Sequence, residues 1–440
     1  MKARVASRMS DVIVVGTSIG ALVSAAYLAR AGLRVRVLEE ETLGQRPPLL
    51  REPFAATGLE RGGPLQRVLG ELGTPLIERR ELHFEPLALQ VVMPEARIEV
   101  GRGRAALAEE LEVYGIAKAP EALDWLEAID GGGEALRRAL QRERGAPPAG
   151  LARLLGGARR RREPVDPEWM PALPAVPRAL ESFVGALRRP SCASATEPGL
   201  AATALLIRGT RDGLHEPPHA GRPLADLFRR RIREHHSEIV PAGALAWSPQ
   251  RGLVGFELAR GRLLARALVV GAPMDALRRA LAAEGSVPRW LKRAQVPSDV
   301  PVHLLRAPSS ALPIGMARRG IDASGRLPRW WTRTRDPLEA DVDWIVLAGE
   351  GVPELASGQP LGGIAPFGGD RIRHVDPGPA PAWDLDPPSL RYHASAPEVL
   401  SHQPPIRLVG PERAPELGVE GEVLLARATA LELAERLARA

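Results

Sequence analysis

Residues 11–39 constrain this chain more than any other stretch. Asp11-Val12-Ile13-Val14-Val15-Gly16-Thr17-Ser18-Ile19-Gly20-Ala21 leads into an Ala-rich apolar run, and Val35-Arg36-Val37-Leu38 then ends on Glu39. The β-branched run reads as a strand, Gly16 as a turn, the Ala-rich run as a helix, and the second apolar run as a strand tipped by an acid. That succession opens a Rossmann unit, which sets an α/β class built on a parallel sheet.

Each part answers a need of an ADP-containing cofactor. Gly16 permits a tight turn that a Cβ would hinder. A helix starting near Ser18 aims its free N–H groups, and the positive end of its dipole, at a diphosphate. A carboxylate about 20 residues onward accepts the hydroxyls of the adenosine ribose, and Glu39 stands at that place. An acid there opposes NADP, whose 2′-phosphate it would repel. The usual Gly-x-Gly-x-x-Gly is changed to Gly16-x-Ser18-x-x-Ala21. Ala is tolerated at the third position. Ser18 replaces the Gly that lets backbone approach phosphate, and its hydroxyl offers a hydrogen bond instead.

Two other readings use the same residues. Lys2, Arg4 and Arg8 before the apolar run imitate a secretory signal, but Asp11, Gly16 and Gly20 interrupt it. Gly16-Thr17-Ser18-Ile19-Gly20 also fits the Gly-x-Ser-x-Gly elbow and resembles the serine motif of patatin-like lipases. Those enzymes carry a Gly-rich oxyanion loop upstream, and the ten residues before Asp11 contain no Gly.

At 440 residues the chain has room for two domains. Its net charge of +6 comes almost wholly from Arg, the lysines being Lys2, Lys118 and Lys292. The densest runs, Arg159 to Arg162 and Arg229 to Arg231, read as solvated surface. The sharper alternative is a peripheral contact with anionic lipid headgroups. Aromatics make up 4% and do not interleave with the arginines, which argues against nucleic acid. Cys192 is the single cysteine, so no intrachain disulfide points to an oxidising compartment. Beyond the N-terminal run, no stretch offers about 20 uninterrupted apolar residues. A cytoplasmic protein is the expectation.

Further along, residues 81–100 alternate as strands, and 104–142 and 182–208 read as helices. Residues 145–180, rich in Gly, Pro and Arg, read as a connection. Leu224 to Arg233 is a helix. Strands follow at 238–240, 244–247 and 253–258, with Gly261-Arg262 as a hairpin turn and Leu263 to Val270 as its second arm. A helix covers 274–281. Short strands include 302–305 and 344–347. Ile406 to Gly410, a turn over Gly418-Val419-Glu420-Gly421 and a helix over 422–438 close the chain.

His215-Glu216-Pro217-Pro218-His219 has the letters of a zinc-protease helix, but two prolines forbid that helix, and no metal site is assigned. Trp330-Trp331 reads as core or pocket wall.

Taken in order, these segments resemble the FAD-dependent oxidoreductases grouped with phytoene desaturases and flavin amine oxidases. The N-terminal unit through Glu39 carries the resemblance first. Leu43-Gly44-Gln45-Arg46 is similar to the family's Gly-Gly-Arg loop along the diphosphate. Asp212-Gly213-Leu214 with the helix 224–233 and Glu238-Ile239 is similar to the segment before an adenine-side contact. Gly261 to Val270 resembles the strand pair that closes the cofactor domain. Leu408-Val409-Gly410 with Gly418-Val419-Glu420-Gly421 resembles the C-terminal flavin motif. Where the family places an acid directly after the glycine equivalent to Gly410, this chain has Pro411 and then Glu412.

The resemblance implies a discontinuous Rossmann-like FAD/NAD(P)-binding domain over 1–80, 205–283 and 400–440. A second, α+β substrate domain covers 81–204 and 284–399. It implies FAD held by Gly16, Ser18, Ile19, Gly20, Ala21, Glu39, Glu40, Gly44, Arg46, Gly410, Gly418, Val419, Glu420 and Gly421. The implied reaction is hydride transfer to flavin from a small apolar substrate, isoprenoid or polyene-like, or from an amine. No catalytic acid or base is assigned, because the cofactor performs the redox step. One alternative is a non-catalytic relative with a decayed cofactor site, acting as a lipid-binding or escort-type protein. The other is the serine lipase.

Overall fold

A computed structural model describes residues 8–39, 58–60, 62–82, 84–101, 103–141, 173–188, 200–211, 214–216, 221–259, 261–292, 298–299, 302–324, 329–336, 338–348, 364–366, 371–375, 391–392, 399–410, 412–413 and 417–439. The labels used below are β1 (Arg8–Val15), α1 (Ile19–Arg30), β2 (Val35–Glu39), α2 (Pro64–Glu71), α3 (Ala119–Gln141), α4 (Arg222–Glu234), β3 (Glu238–Pro241), β4 (Val254–Leu258), β5 (Gly261–Val270), α5 (Met274–Ala283), β6 (Val399–His402), β7 (Pro405–Leu408) and α6 (Gly418–Arg439).

The parallel core has the order β7-β5-β1-β2-β3, with β6 and β4 added antiparallel to β7 and β5. β1 lies at its centre, and Val12 to Val15 are fully buried. Val12 and Val14 join the apolar cluster that holds α1, α4 and α6. Ile13 and Val15 join the cluster on the opposite face, with Leu38, Phe256 and Leu277. A strand covered on both faces needs apolar residues at successive positions, which explains the unbroken run.

α1 is buried from Ile19 to Ala29. Its small residues let α6 pack close, and Ser24 Oγ donates to the Ala426 carbonyl at 3.1 Å. Thus the last helix covers the first.

The second main sheet, among the described residues, has seven strands. Their order is 373–375, 302–308, 342–348, 329–335, 319–322, 89–92 and 97–100. The pairs are antiparallel except 319–322 with 89–92. Helices 104–113, α3, 181–188 and 200–211 accompany this part of the chain. Trp331 is fully buried in its core and donates Nε1–H to the Ala317 carbonyl at 3.1 Å.

Two expectations are corrected here. Gly261 and Arg262 already pair with Leu258 and Glu257, so they are the first rungs of β5 and not the hairpin turn. Gly418 to Gly421 form the first turn of α6 and not a turn before it. The 145–180 connection lies outside the described residues up to 172.

Candidate functional site

β1 is flanked by β5 on one side and β2 on the other, so the chain reverses its direction of winding at β1. Ligands of doubly wound sheets bind at that switch, beyond the carboxyl ends of the strands. Gly16 leaves β1 there with φ 104°. A side chain at that φ is strained, so a Gly is required. Ser18 caps α1, its Oγ accepting from Ala21 N–H at 3.2 Å.

Gly20 meets a different demand. A Cβ there would lie 2.0 Å from the Val409 carbonyl oxygen and 3.0 Å from Oε1 of Glu422. Its N–H donates to Glu422 Oε1 at 2.8 Å. The start of α1, where a diphosphate is expected, therefore carries a carboxylate supplied by α6. A parallel contact lies nearby in the chain: buried Glu412 accepts from Met274 N–H through both oxygens, at 3.2 and 3.1 Å, where α5 begins. Acids from the C-terminal segment thus satisfy orphan donors at the starts of two helices, where the dipole favours negative charge.

Glu39 ends β2 as expected, and its Oε1 accepts from Arg229 at 2.9 Å. The other arginines of that run are also matched: Arg230 with Glu78, and Arg231 with Glu78 and Glu234.

Gly410 lies against Gly271, where an added Cβ would be 2.9 Å from the carbonyl oxygen. Gly418, Val419 and Gly421 form the start of α6. The Glu420 side chain is turned to Arg137 of α3, which donates to its Oε1 through Nε and to its Oε2 at 3.0 Å. Glu60 lies 2.9 Å from the same guanidinium. All three groups are buried. Burial works against the Arg137 charge, but hydrogen bonding and charge from Glu420, with Glu60, outweigh it and hold the group protonated above its ordinary range.

Glu40, Gly44 and Arg46 lie outside the described residues, as do Gln45 and Pro411. Glu422 and Arg229 were missed in the sequence. Glu422 follows Gly421 directly, and an acid one residue past a Gly-rich helix start was the available signal.

The backbone fits a dinucleotide at the Gly16 turn and at the end of β2. The diphosphate seat, as folded, does not fit one, because Gly20 N–H already serves Glu422. No histidine hydrogen-bonds Ser18 among the described residues, and its Oγ serves as a helix cap. His215 lies on a strand, Leu214–Glu216. No group of three or more metal-binding side chains occurs among the described residues, and no described helix is long and apolar enough to cross a membrane.

No protein-family model and no curated relative matches the sequence. Solved structures match the fold along its whole length. A triple mutant of putrescine oxidase, redesigned in cofactor binding, aligns with TM-score 0.53 at 13% identity, covering 99% of this chain and 100% of its own. Cyclohexylamine oxidase from Brevibacterium oxydans gives 0.50 at 15%, covering 98% and 100%. An oxidoreductase from Methanosarcina mazei gives 0.55 at 13%, covering 94% and 98%. The chain has the Rossmann-like α/β fold of these oxidoreductases, which agrees with the fold expected from residues 11–39 and the later segments.

Proposed function

We propose that this protein is an FAD-dependent oxidoreductase. The observation that carries the reading is the positive-φ Gly16 turn at the switch point, with Glu39 at the end of β2, in a chain that aligns end to end with amine oxidases. Gly16, Ser18, Ile19, Gly20 and Ala21 would face the diphosphate, and Glu39 the ribose. Glu40, Gly44, Arg46, Gly410, Gly418, Val419, Glu420 and Gly421 complete the proposed set. When bound, the flavin supplies a hydride acceptor. The protein contributes placement and exclusion of water. Two of the similar structures are named for amines, which supports oxidation of a C–N bond; an apolar, isoprenoid-like substrate is the alternative. A Rossmann-like part over 1–80, 205–283 and 400–440, with a substrate part over the rest, belongs to the same proposal.

The test is a titration of the purified protein with FAD, followed by flavin fluorescence and the visible spectrum. Saturable binding is expected, with Glu39→Ala weakening it at least tenfold, about 1.4 kcal/mol. Unchanged affinity in the variant removes the ribose role. A second reading, a non-catalytic relative that keeps the scaffold, is favoured by the carboxylate on Gly20 N–H. It predicts no binding even at millimolar FAD.

A further inference from the structure

We propose that Glu422 is a built-in plug: its carboxylate holds the diphosphate seat of α1 closed and must leave before a dinucleotide can bind. This rests on the flavin-oxidoreductase reading only for the identity of the incoming ligand.

Two donors of the seat are already used. Gly20 N–H, on the first turn of α1, gives its hydrogen to Glu422 Oε1 at 2.8 Å. Ala21 N–H gives its own to Ser18 Oγ at 3.2 Å. Helix starts bind anions because these N–H groups lack intrahelical partners and the dipole is positive there. The Glu422 carboxylate meets both conditions, as a phosphate oxygen would. The two anions cannot share one donor, because like charges a few ångströms apart repel.

The plug is half-buried, and its position depends on how α6 lies against α1. Gly20 is fixed as glycine by the Val409 carbonyl, so the seat cannot be altered by a side chain of its own. Dinucleotide affinity is therefore set by Glu422 swinging away, and the apparent affinity falls by the fraction of molecules in which the seat is open.

The test uses the full-length protein and Glu422→Ala, with two probes: inorganic diphosphate, read as a rise in thermal midpoint, and FAD, read by fluorescence titration. In E422A, diphosphate is expected to raise the midpoint and FAD to bind at least tenfold more tightly than in the unsubstituted protein. The isosteric E422Q, which keeps an acceptor and drops the charge, is expected to shift in the same direction; it serves if E422A does not fold. Equal FAD affinity in all three proteins overturns the plug and leaves the flavin reading standing. A diphosphate response in E422A with no FAD binding in any protein upholds the plug and overturns the flavin reading. No response of the variants to either probe overturns both.

Discussion

Arg137 is 6% exposed and lies between two acids, Glu420 at 0% and Glu60 at 7%. Three charges away from water survive only through the hydrogen bonds of Arg137 to Glu420 and its ion pair with Glu60, since desolvation of each costs several kcal/mol. The cluster joins α3 to the start of α6 and to the segment 58–60. Removing the single cation leaves two buried carboxylates facing each other. Removing one acid leaves Arg137 with the other. We therefore expect Arg137→Met to lower unfolding free energy by about 3–5 kcal/mol, and Glu420→Gln by clearly less. Urea unfolding of the two variants checks this. Equal losses would mean that Glu60 does not serve as the second partner.

At the scale of elements, the outer strands of the second sheet carry a pH-sensitive histidine, His303. His303 and His374 stand on neighbouring antiparallel strands, with ring nitrogens 3.1 Å apart. Burial first, and the charge of His374 second, hold His303 below the ordinary imidazole value of 6.5. The unfolded chain then takes up a proton at a higher pH than the folded one. The stability that neutral His303 contributes is present above pH 6.5 and is lost as pH falls from there through the folded value. His303→Asn is expected to flatten that part of the stability-against-pH curve, measured by denaturant midpoints between pH 5 and 8. An unchanged slope would remove His303 from the acid sensitivity.

Elements of this kind differ in how far the sequence announces them. β1, α1 and β2 were legible, because a doubly covered strand demands consecutive β-branched residues and a helix packed on two sides demands small ones. β5 and the closing helix were legible for the same reason, apart from their exact starts, whereas β3, half-exposed at the end of the strand order, was legible from its short β-branched run Ile239-Val240. The side-chain pairings were not. Glu422 finds Gly20 across 402 positions, and Arg137 finds Glu420 across 283. With 59 basic and 53 acidic residues, charge alone does not choose among partners. Only the packing of α6 on α1 and α3 does so.

For the molecule as a whole, that packing closes the chain on itself. β7 extends the parallel sheet beside β5, and α6 then covers α1. Arg427 of α6 pairs with Glu71 of α2 at 2.6 Å, and Tyr27 of α1 donates to the same carboxylate at 2.6 Å. Val423, Ala426, Ala430 and Leu433 are buried in the cluster that also holds Leu22, Ala25 and Ala29. The first helix therefore has no complete core until the last one arrives. Contacts that distant in sequence form late, because the loop-closure entropy must be met first. A chain ending at residue 417 exposes the α1 face and loses Glu422 from Gly20 and Arg427 from Glu71. It is expected to be poorly soluble and to lack a cooperative thermal transition, whereas the full chain shows one. Soluble yield and near-ultraviolet circular dichroism on heating distinguish the two. A truncated chain that still melts cooperatively, within a few degrees of the full protein, would show that α1 finds sufficient cover from α4 alone and that α6 is an addition to a core already formed.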